Sequence, residues 1–136
     1  MSFELKKYVQ VIREKLSNGL DIVILNNPKA PIVSLNLSYK VGSKDEKFGV
    51  RGFAHLFEHL MFEGSQNVPK GEFDKYCSAS GGTNNAYTTY DYTAYTMTLP
   101  SNKIELGLWL ESDRMFFSKI SQKALETQQK VVIEEI

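Results

Sequence analysis

The residues best suited to chemistry in this 136-residue chain are concentrated in one short segment, residues 52–64, which reads GFAHLFEHLMFEG. It contains both histidines of the chain, His55 and His59, and Glu58 directly precedes the second of them. Residues four apart stack on one face of an α-helix, so the two imidazoles can be directed at one point. Imidazole is a common zinc ligand, and Glu58 lies near the same face, within reach of a water on the metal. The H-x-x-E-H spacing therefore predicts two metal ligands and a general base on one helical turn.

The same three polar groups have a structural alternative, in which they are hydrogen-bonded inside a core without a metal. The flanking apolar residues have the spacing of a mostly buried helix: Phe53, Leu56, Phe57, Leu60 and Met61. Burying two histidines and a glutamate there without a shared partner would cost several kcal/mol, and a bound metal offsets that cost. We therefore favour the metal site over the structural alternative.

A catalytic zinc site needs a third protein ligand, with a fourth position left to water. Glu63 lies one turn beyond His59 on the same helix and is poorly placed to close a tetrahedron. The remaining candidates are three carboxylates near the end of the chain and its one thiol: Glu126, Glu134, Glu135 and Cys77. Adjacent helical residues differ by about 100° in direction, so one of Glu134 and Glu135 should face the metal and the other should face water.

Composition and charge argue against several classes of function. Sixteen basic residues balance sixteen acidic residues, so the net charge does not indicate nucleic acid or an anionic membrane as a partner. The first 16 residues lack the apolar region of a signal peptide, and no apolar run approaches the roughly 18–20 residues needed to cross a bilayer. The single cysteine cannot form an internal disulfide. These features predict a soluble cytoplasmic domain without nucleic-acid or membrane partners.

Hydrophobic periodicity and residue preference predict a mixture of strands and helices. Strands are predicted at residues 8–15, 20–26, 32–41, 83–88 and 92–99. Helices are predicted at residues 53–62, 72–80 and 103–117, and from an N-cap at Ser121 to the end. The turn Ser17-Asn18-Gly19 is typical of a tight hairpin, with Asn-Gly supplying positive φ angles. The last helix keeps an amphipathic stripe to Ile136 without a capping glycine, so we expect the chain to be a piece of something longer.

Four segments along nearly the whole chain resemble one known family. They are LSNGL at residues 16–20, VGS at 41–43 with Glu46, GFAHLFEHLMF at 52–62 and NAYTTYDYTAY at 85–95. In this order and at these separations they closely resemble the amino-terminal domain of the inverzincin metallopeptidases. This is the pitrilysin or insulinase-like family M16, which includes the mitochondrial processing peptidase.

The resemblance implies an α+β fold, with a mostly antiparallel sheet and helices packed on one face. It implies that residues 1–136 form a single, incomplete amino-terminal catalytic domain, covering about the first two-thirds of the family's first domain. Members of the family enclose their substrate between two homologous halves, and the second half supplies an arginine and a tyrosine that nothing in this chain matches. Full activity is therefore expected to need a second M16-like domain or a homologous partner subunit.

The resemblance also assigns roles within the site. It implies one Zn²⁺ per chain, held by His55, His59 and Glu135, with Glu58 as the general base. Glu134 remains the fallback for the third ligand. The family often carries a supporting glutamate two turns before that ligand. The corresponding position is Gln128 here, so the supporting role is lost or passes to a neutral amide.

The implied activity is that of a zinc-dependent endopeptidase acting on extended peptides or unfolded segments. Family members bind substrate as an added strand on an exposed sheet edge, and the match places this edge at Thr83, Asn84, Asn85 and Ala86. Backbone hydrogen bonds at such an edge can bind an extended peptide whatever its sequence. The structural alternative for these residues is an ordinary strand rich in Thr and Tyr.

Two other functions remain as alternatives. The S-ribosylhomocysteine lyase family shares the core architecture and an inverted histidine motif, but its third zinc ligand is a cysteine. Cys77 lies 18 residues after His59, which is closer than that role would suggest. Other relatives have lost the motif and act as structural subunits, so a non-catalytic M16-like subunit or binding module is the second alternative.

Overall fold

The computed structural model describes residues 10–49 and 51–135, and these belong to two compact units, one ending at Pro31 and one beginning at Ile32. The first unit is an antiparallel hairpin of β1 (Gln10–Lys15) and β2 (Asp21–Asn26). Its turn needs only one positive φ, at Gly19, because Asn18 instead uses its side-chain oxygen to accept a hydrogen bond from the Leu20 amide. The expectation that both residues of Asn-Gly adopt positive φ was wrong. The predicted first two residues of β1, at 8 and 9, lie outside the described residues.

The second unit contains a three-stranded antiparallel sheet. Its strands are β3 (Ile32–Tyr39), β4 (Thr83–Thr88) and β5 (Thr93–Pro100), in the spatial order β3-β5-β4. Alternation in β3 turns Val33, Leu35, Leu37 and Tyr39 toward the protein and leaves the intervening Ser and Asn side chains exposed. Among the strands in residues 10–49 and 51–135, β4 therefore has a neighbour in this sheet on one side only.

Four helices accompany this sheet: α1 (Phe53–Leu60), α2 (Glu72–Ala79), α3 (Ile104–Phe117) and α4 (Gln122–Glu134). Short 3₁₀ turns lie at Ser43–Asp45 and Ser101–Lys103. The main core lies between one sheet face and two helices, and consists of Val33, Leu35, Val68, Phe73, Cys77, Met97, Leu99, Leu106 and Leu110. The α+β architecture with helices on one face of an antiparallel sheet is confirmed.

Helix α3 approaches the sheet closely at Gly107. A Cβ atom at that position would lie 2.6 Å from Leu35 Cδ1 and 2.9 Å from Leu99 Cδ1, so only glycine fits without a shift of the neighbours. This contact fixes the distance between α3 and the central strand. Two backbone hydrogen bonds join the segment between α1 and α2 to the end of α3: the Gln66 amide donates to the Phe117 carbonyl, and the Lys119 amide donates to the Gly64 carbonyl.

Helix α1 is less buried than its sequence pattern predicts. Leu56 and Leu60 are buried against Ala124 and Val132 of α4, as expected. Phe53 and Phe57, however, are 48% and 51% exposed, so the expectation of a mostly buried helix was wrong for this side. The two rings line an open pocket of about 450 Å³. Tyr39, Glu58, Met61 and Tyr95 also line this pocket.

Helix α4 packs its amphipathic stripe on α1 through Ala124, Leu125 and Val132, while Ile133 remains exposed. Ser121 caps this helix by accepting a hydrogen bond from the Ala124 amide at 3.1 Å, as its sequence predicts. Ile136, the last member of the predicted stripe, lies outside the described residues. None of the helices in residues 10–49 and 51–135 is both long and apolar enough to cross a bilayer.

Candidate metal centre

The first turn of the histidine-bearing helix α1 is anchored by a carboxylate from the loop that precedes it. Glu46 accepts hydrogen bonds from the Gly52 amide through Oε2 and from the Ala54 amide through Oε1, both at 2.9 Å. The first amides of a helix have no partner within the helix, and their partial positive charge favours a carboxylate at this position. The Glu46 side chain therefore fixes where α1 begins and so where His55 and His59 lie.

Three potential metal-ligating atoms converge between α1 and the end of α4. The Nε2 atoms of His55 and His59 are 3.1 Å apart. Glu135 Oε2 lies 3.4 Å from His55 Nε2 and 3.5 Å from His59 Nε2. Among the described residues, these three side chains form the group of His, Cys, Asp or Glu whose ligand atoms lie close enough to share one ion.

This triangle fits a tetrahedral zinc ion. Ligands about 2.0–2.1 Å from a tetrahedral centre lie about 3.3–3.4 Å from one another, close to all three observed separations. Two imidazoles and a carboxylate are also the donor set of several catalytic zinc sites. The Glu135 side chain remains 48% exposed, so solvent can reach this group of ligand atoms.

The other proposed third ligands lie elsewhere. Glu134 is the last residue of α4 and does not join the group of ligand atoms. Glu135 is the C-cap residue that directly follows the helix, and it does join the group. Glu126 is exposed and accepts a hydrogen bond from Gln122. Cys77 is fully buried in the core with Met97 and Leu110, where burial raises the pKa of its thiol. This placement removes the support for a cysteine ligand and for the lyase-like alternative.

Glu58 lies between the two histidines in sequence, and its side chain is buried. A residue of strand β4 holds its carboxylate. The Thr88 hydroxyl, at the end of β4, donates a hydrogen bond to Glu58 Oε2. A buried carboxylate needs such a donor to offset its loss of hydration. The arrangement leaves Oε1 of Glu58 without a protein partner among the described hydrogen bonds.

A second layer of polar side chains backs His59. Its Nδ1 atom lies 3.2 Å from Gln128 Oε1, and Gln128 Nε2 donates to Glu63 Oε1 at 2.7 Å. Glu63, which we judged poorly placed as a ligand, thus contacts Gln128 and Lys70 instead of a metal. Gln128 does face the site, as its position in the resemblance implies.

The predicted substrate edge, Thr83 to Ala86, forms the first four residues of the edge strand β4. Asn84 is tied to α2 by a hydrogen bond from its Nδ2 to Asp74 Oδ1 at 3.0 Å. The Ala86 amide donates to the Asn85 side-chain oxygen at 2.9 Å. A peptide strand added here would compete with this local hydrogen bond. The same strand reaches Glu58 through Thr88, so the edge and the carboxylate belong to one connected surface.

Sequence reasoning missed the roles of Glu46, Thr88, Glu63 and Lys70. Glu46 belongs to one of the segments that resemble the family, and the loop between it and α1 has no pattern that indicates its capping contact. Thr88 read as an ordinary β-strand threonine. The pairing of Glu63 with Lys70 crosses a loop containing Pro69, so no helical spacing indicates it.

Comparison with known proteins gives consistent relatives. The family model described as Insulinase (Peptidase family M16) matches residues 21–136. A protein named zinc protease PqqE from Helicobacter pylori is 35% identical over 122 residues, which are 88% of this chain and 27% of that protein. An uncharacterized zinc protease, YmxG, from Bacillus subtilis is 30% identical over 124 residues, 91% of this chain and 30% of that protein.

Two solved structures share the fold. A protease from Helicobacter pylori superposes with a TM-score of 0.89 at 32% identity, over 93% of this chain and 30% of that one. Pitrilysin superposes with a TM-score of 0.83 at 25% identity, over 93% of this chain and 14% of that one. The chain thus spans less than a third of the length of these relatives.

Proposed function

The chain belongs to the insulinase family of peptidases, peptidase family M16, and from this premise we propose that it carries the zinc site of an endopeptidase. The substrates we propose are extended peptides or unfolded protein segments. The observation that carries the proposal is the convergence of His55 Nε2, His59 Nε2 and Glu135 Oε2 at tetrahedral separations.

In the proposed site, His55, His59 and Glu135 hold one zinc ion. When bound, the ion supplies Lewis acidity, which lowers the pKa of a water and polarises the peptide carbonyl. His55 and His59 present Nε2 from successive turns of α1, and Glu135 contributes a negative charge from the end of α4. Because Glu46 fixes the start of α1, the two imidazoles are held in register before any metal binds.

Glu58 serves as the general base. Its carboxylate takes the proton of the attacking water and passes it to the leaving amine. The hydrogen bond from Thr88 holds Oε2, so Oε1 is the atom we assign to proton transfer. Burial of this carboxylate keeps bulk water away from the proton that it carries.

The peptide binds as a strand along Thr83, Asn84, Asn85 and Ala86. In the part of the chain that the structure describes, no strand pairs with this edge of the sheet, so its backbone groups can pair with an extended substrate. The contact of Thr88 with Glu58 directs such a strand toward the base. Pairing along this edge requires an extended segment, which favours peptides and unfolded chains as substrates.

The remaining catalytic groups come from a second M16-like domain or a homologous partner subunit. The chain spans less than a third of its relatives, and we place the missing contacts to the scissile bond in that remainder. A cytoplasmic location stays a prediction from the sequence alone.

The test compares wild type with Glu58→Gln in the full-length protein that carries this chain. Zinc affinity is measured by competition with a chromogenic chelator, and turnover is measured with a quenched-fluorescent unstructured peptide. We expect Glu58→Gln to keep its zinc affinity and to lose at least about 100-fold in turnover. The matched control is Glu126→Gln, an exposed glutamate of α4, which should keep both.

Two results would overturn the proposal. Retained turnover in Glu58→Gln would remove Glu58 as the base. Tight zinc binding by the wild type without cleavage of any unstructured peptide would favour the non-catalytic subunit instead.

A further inference from the structure

A chain of polar contacts runs from the surface to the back of His59. Lys70 Nζ donates to Glu63 Oε1 at 2.6 Å, and Gln128 Nε2 donates to the same oxygen at 2.7 Å. Gln128 Oε1 then lies 3.2 Å from His59 Nδ1. The Glu63 side chain is only 7% exposed, whereas Lys70 is at the surface.

The chemistry of these groups allows only one direction of donation. An ionised carboxylate can only accept hydrogen bonds, so the amide nitrogen of Gln128 must face Glu63. The amide oxygen must then face His59 and can only accept. The proton of a neutral His59 therefore resides on Nδ1, and its Nε2 carries a free lone pair.

That free lone pair is on the atom that meets His55 Nε2 and Glu135 Oε2. If Gln128 were rotated by 180° about its amide, its oxygen would oppose the Glu63 carboxylate, and its nitrogen would donate to His59 Nδ1. The ring proton would then occupy Nε2 and block the ligand position. The charge on Glu63 decides between these two arrangements.

Glu63 is well suited to keep that charge. Burial alone would raise the pKa of its carboxyl, but hydrogen bonds from Lys70 and Gln128 outweigh burial and hold the pKa below its usual value. Glu63 is four residues beyond His59 and contacts it only through Gln128. It can therefore act on the histidine without competing for the metal.

We propose that Glu63 is a positioning residue, which orients the Gln128 amide and thereby selects the His59 tautomer that leaves Nε2 free for zinc. The proposal rests on the zinc site of the proposed function. It adds that the carboxylate behind His59 acts through a neutral amide, Gln128, and comes from the turn that follows α1, not from α4. Outer-shell partners of this kind fix ligand orientation in metal sites.

The experiment uses three variants. Glu63→Gln keeps the shape of the side chain and removes the acceptor-only group, and Gln128→Leu removes the relay. Gln129→Leu is the matched control, because Gln129 is the next residue of α4 and is exposed. Thermal unfolding establishes whether each variant is folded. Glu63→Gln is nearly isosteric with the wild type, so it still tests the proposal if Gln128→Leu does not fold.

Two readouts are measured on each protein. Nitrogen-15 NMR of the histidine rings in the metal-free protein reports the tautomer of His59 without any zinc or cleavage. Chelator competition reports zinc affinity. We expect the wild type and Gln129→Leu to hold the proton on Nδ1 and to bind zinc equally. In Gln128→Leu the tautomer should become mixed and zinc affinity should fall about 10–100-fold, with a change in the same direction for Glu63→Gln.

The outcomes separate the two proposals. Failure of the relay would appear as an Nε2-protonated His59 in the wild type, or as wild-type tautomer and zinc affinity in both variants. Failure of the proposed function would appear as weak zinc binding by the wild type itself. In that case the His59 tautomer in the variants still decides whether Glu63 acts through Gln128.

Discussion

The hydroxyl of Thr88 donates a hydrogen bond to Oε2 of Glu58, so the edge strand β4 and the histidine helix α1 are joined at the carboxylate. Thr88 is the last residue of the strand whose first four residues form the proposed substrate edge. A peptide bound along β4 would therefore be held by the same strand that orients Glu58, the proposed base. The contact links the proposed substrate edge to the proposed base without an intervening loop.

The first prediction concerns that hydrogen bond. Thr88→Val keeps the β-branched shape but removes the donor, so the buried carboxylate of Glu58 loses its fixed orientation. We expect turnover to fall about tenfold, which corresponds to about 1.4 kcal/mol in the barrier, with unchanged zinc affinity. Thr88→Ser retains the hydroxyl and should restore most of the turnover. Equal turnover in the valine and serine variants would show that Thr88 does not orient Glu58.

The second prediction separates two adjacent glutamates. Glu135→Gln replaces the carboxylate that lies 3.4 Å from His55 Nε2 and 3.5 Å from His59 Nε2 with a weaker neutral ligand. Zinc affinity should fall more than the about 100-fold that marks the upper range for outer-shell changes. Glu134→Gln, one residue earlier on the exposed end of α4, is the matched control and should bind zinc like the wild type. The reverse order of affinities would assign the third ligand to Glu134.

The adjacency of Glu134 and Glu135 illustrates what sequence can and cannot predict here. His55, Glu58 and His59 lie within one helical turn, so helix geometry alone brings them together. The proposed third ligand is distant in sequence, and its identity depends on the point at which α4 ends, at Glu134. Helix ends are set by local capping and packing, so periodicity left Glu126, Glu134, Glu135 and Cys77 as candidates and could not choose between the adjacent Glu134 and Glu135. The resemblance to the family was needed to favour Glu135.

The strands and helices themselves were predictable because local signals agree with the tertiary structure. Alternation in β3 and the Ser121 cap of α4 both coincide with observed elements. The exposure of Phe53 and Phe57 was not predictable, because apolar spacing does not reveal which side of a helix is covered. The contact of Glu46 with α1 depends on the conformation of the loop between them, which no helical or strand periodicity indicates.

The third prediction concerns the cap that the Glu46 side chain forms at the start of α1. Glu46 accepts hydrogen bonds from the amides of Gly52 and Ala54, which have no other partner at the start of a helix. Glu46→Ala should lower the free energy of unfolding by about 0.5–2 kcal/mol, the range for loss of a helix cap. Glu126→Ala, which removes only a contact to Gln122 on the surface of α4, should have a smaller effect. Urea unfolding measures both, and equal effects would contradict the capping role.

The fourth prediction concerns the pH dependence of stability through Asp113 of α3. This buried carboxylate accepts hydrogen bonds from the Ser65 hydroxyl, from Asn67 Nδ2 at 2.6 Å and from the Asn67 amide at 3.2 Å. Burial alone would raise its pKa, but these hydrogen bonds outweigh burial and hold the pKa below the usual value. The folded state therefore binds this proton less readily than the unfolded state. The stability that this carboxylate contributes is present above its pKa in the unfolded state, about 3.9. It is lost as the pH falls through the lower pKa that the carboxyl has in the folded state.

Asp113→Asn removes this titration and leaves one acceptor oxygen for three donors. At neutral pH the variant should be less stable by about 1–3 kcal/mol, the cost of unsatisfied buried hydrogen-bonding groups. Its stability should also fall less steeply than that of the wild type between about pH 5 and pH 3. The reason is that the variant lacks one carboxyl group whose pKa is lowered by folding. Glu63, whose pKa is also lowered, is present in both proteins and cancels in the difference. Urea unfolding at several pH values measures the two curves, and a constant difference between them across this range would assign the acid sensitivity to other carboxylates.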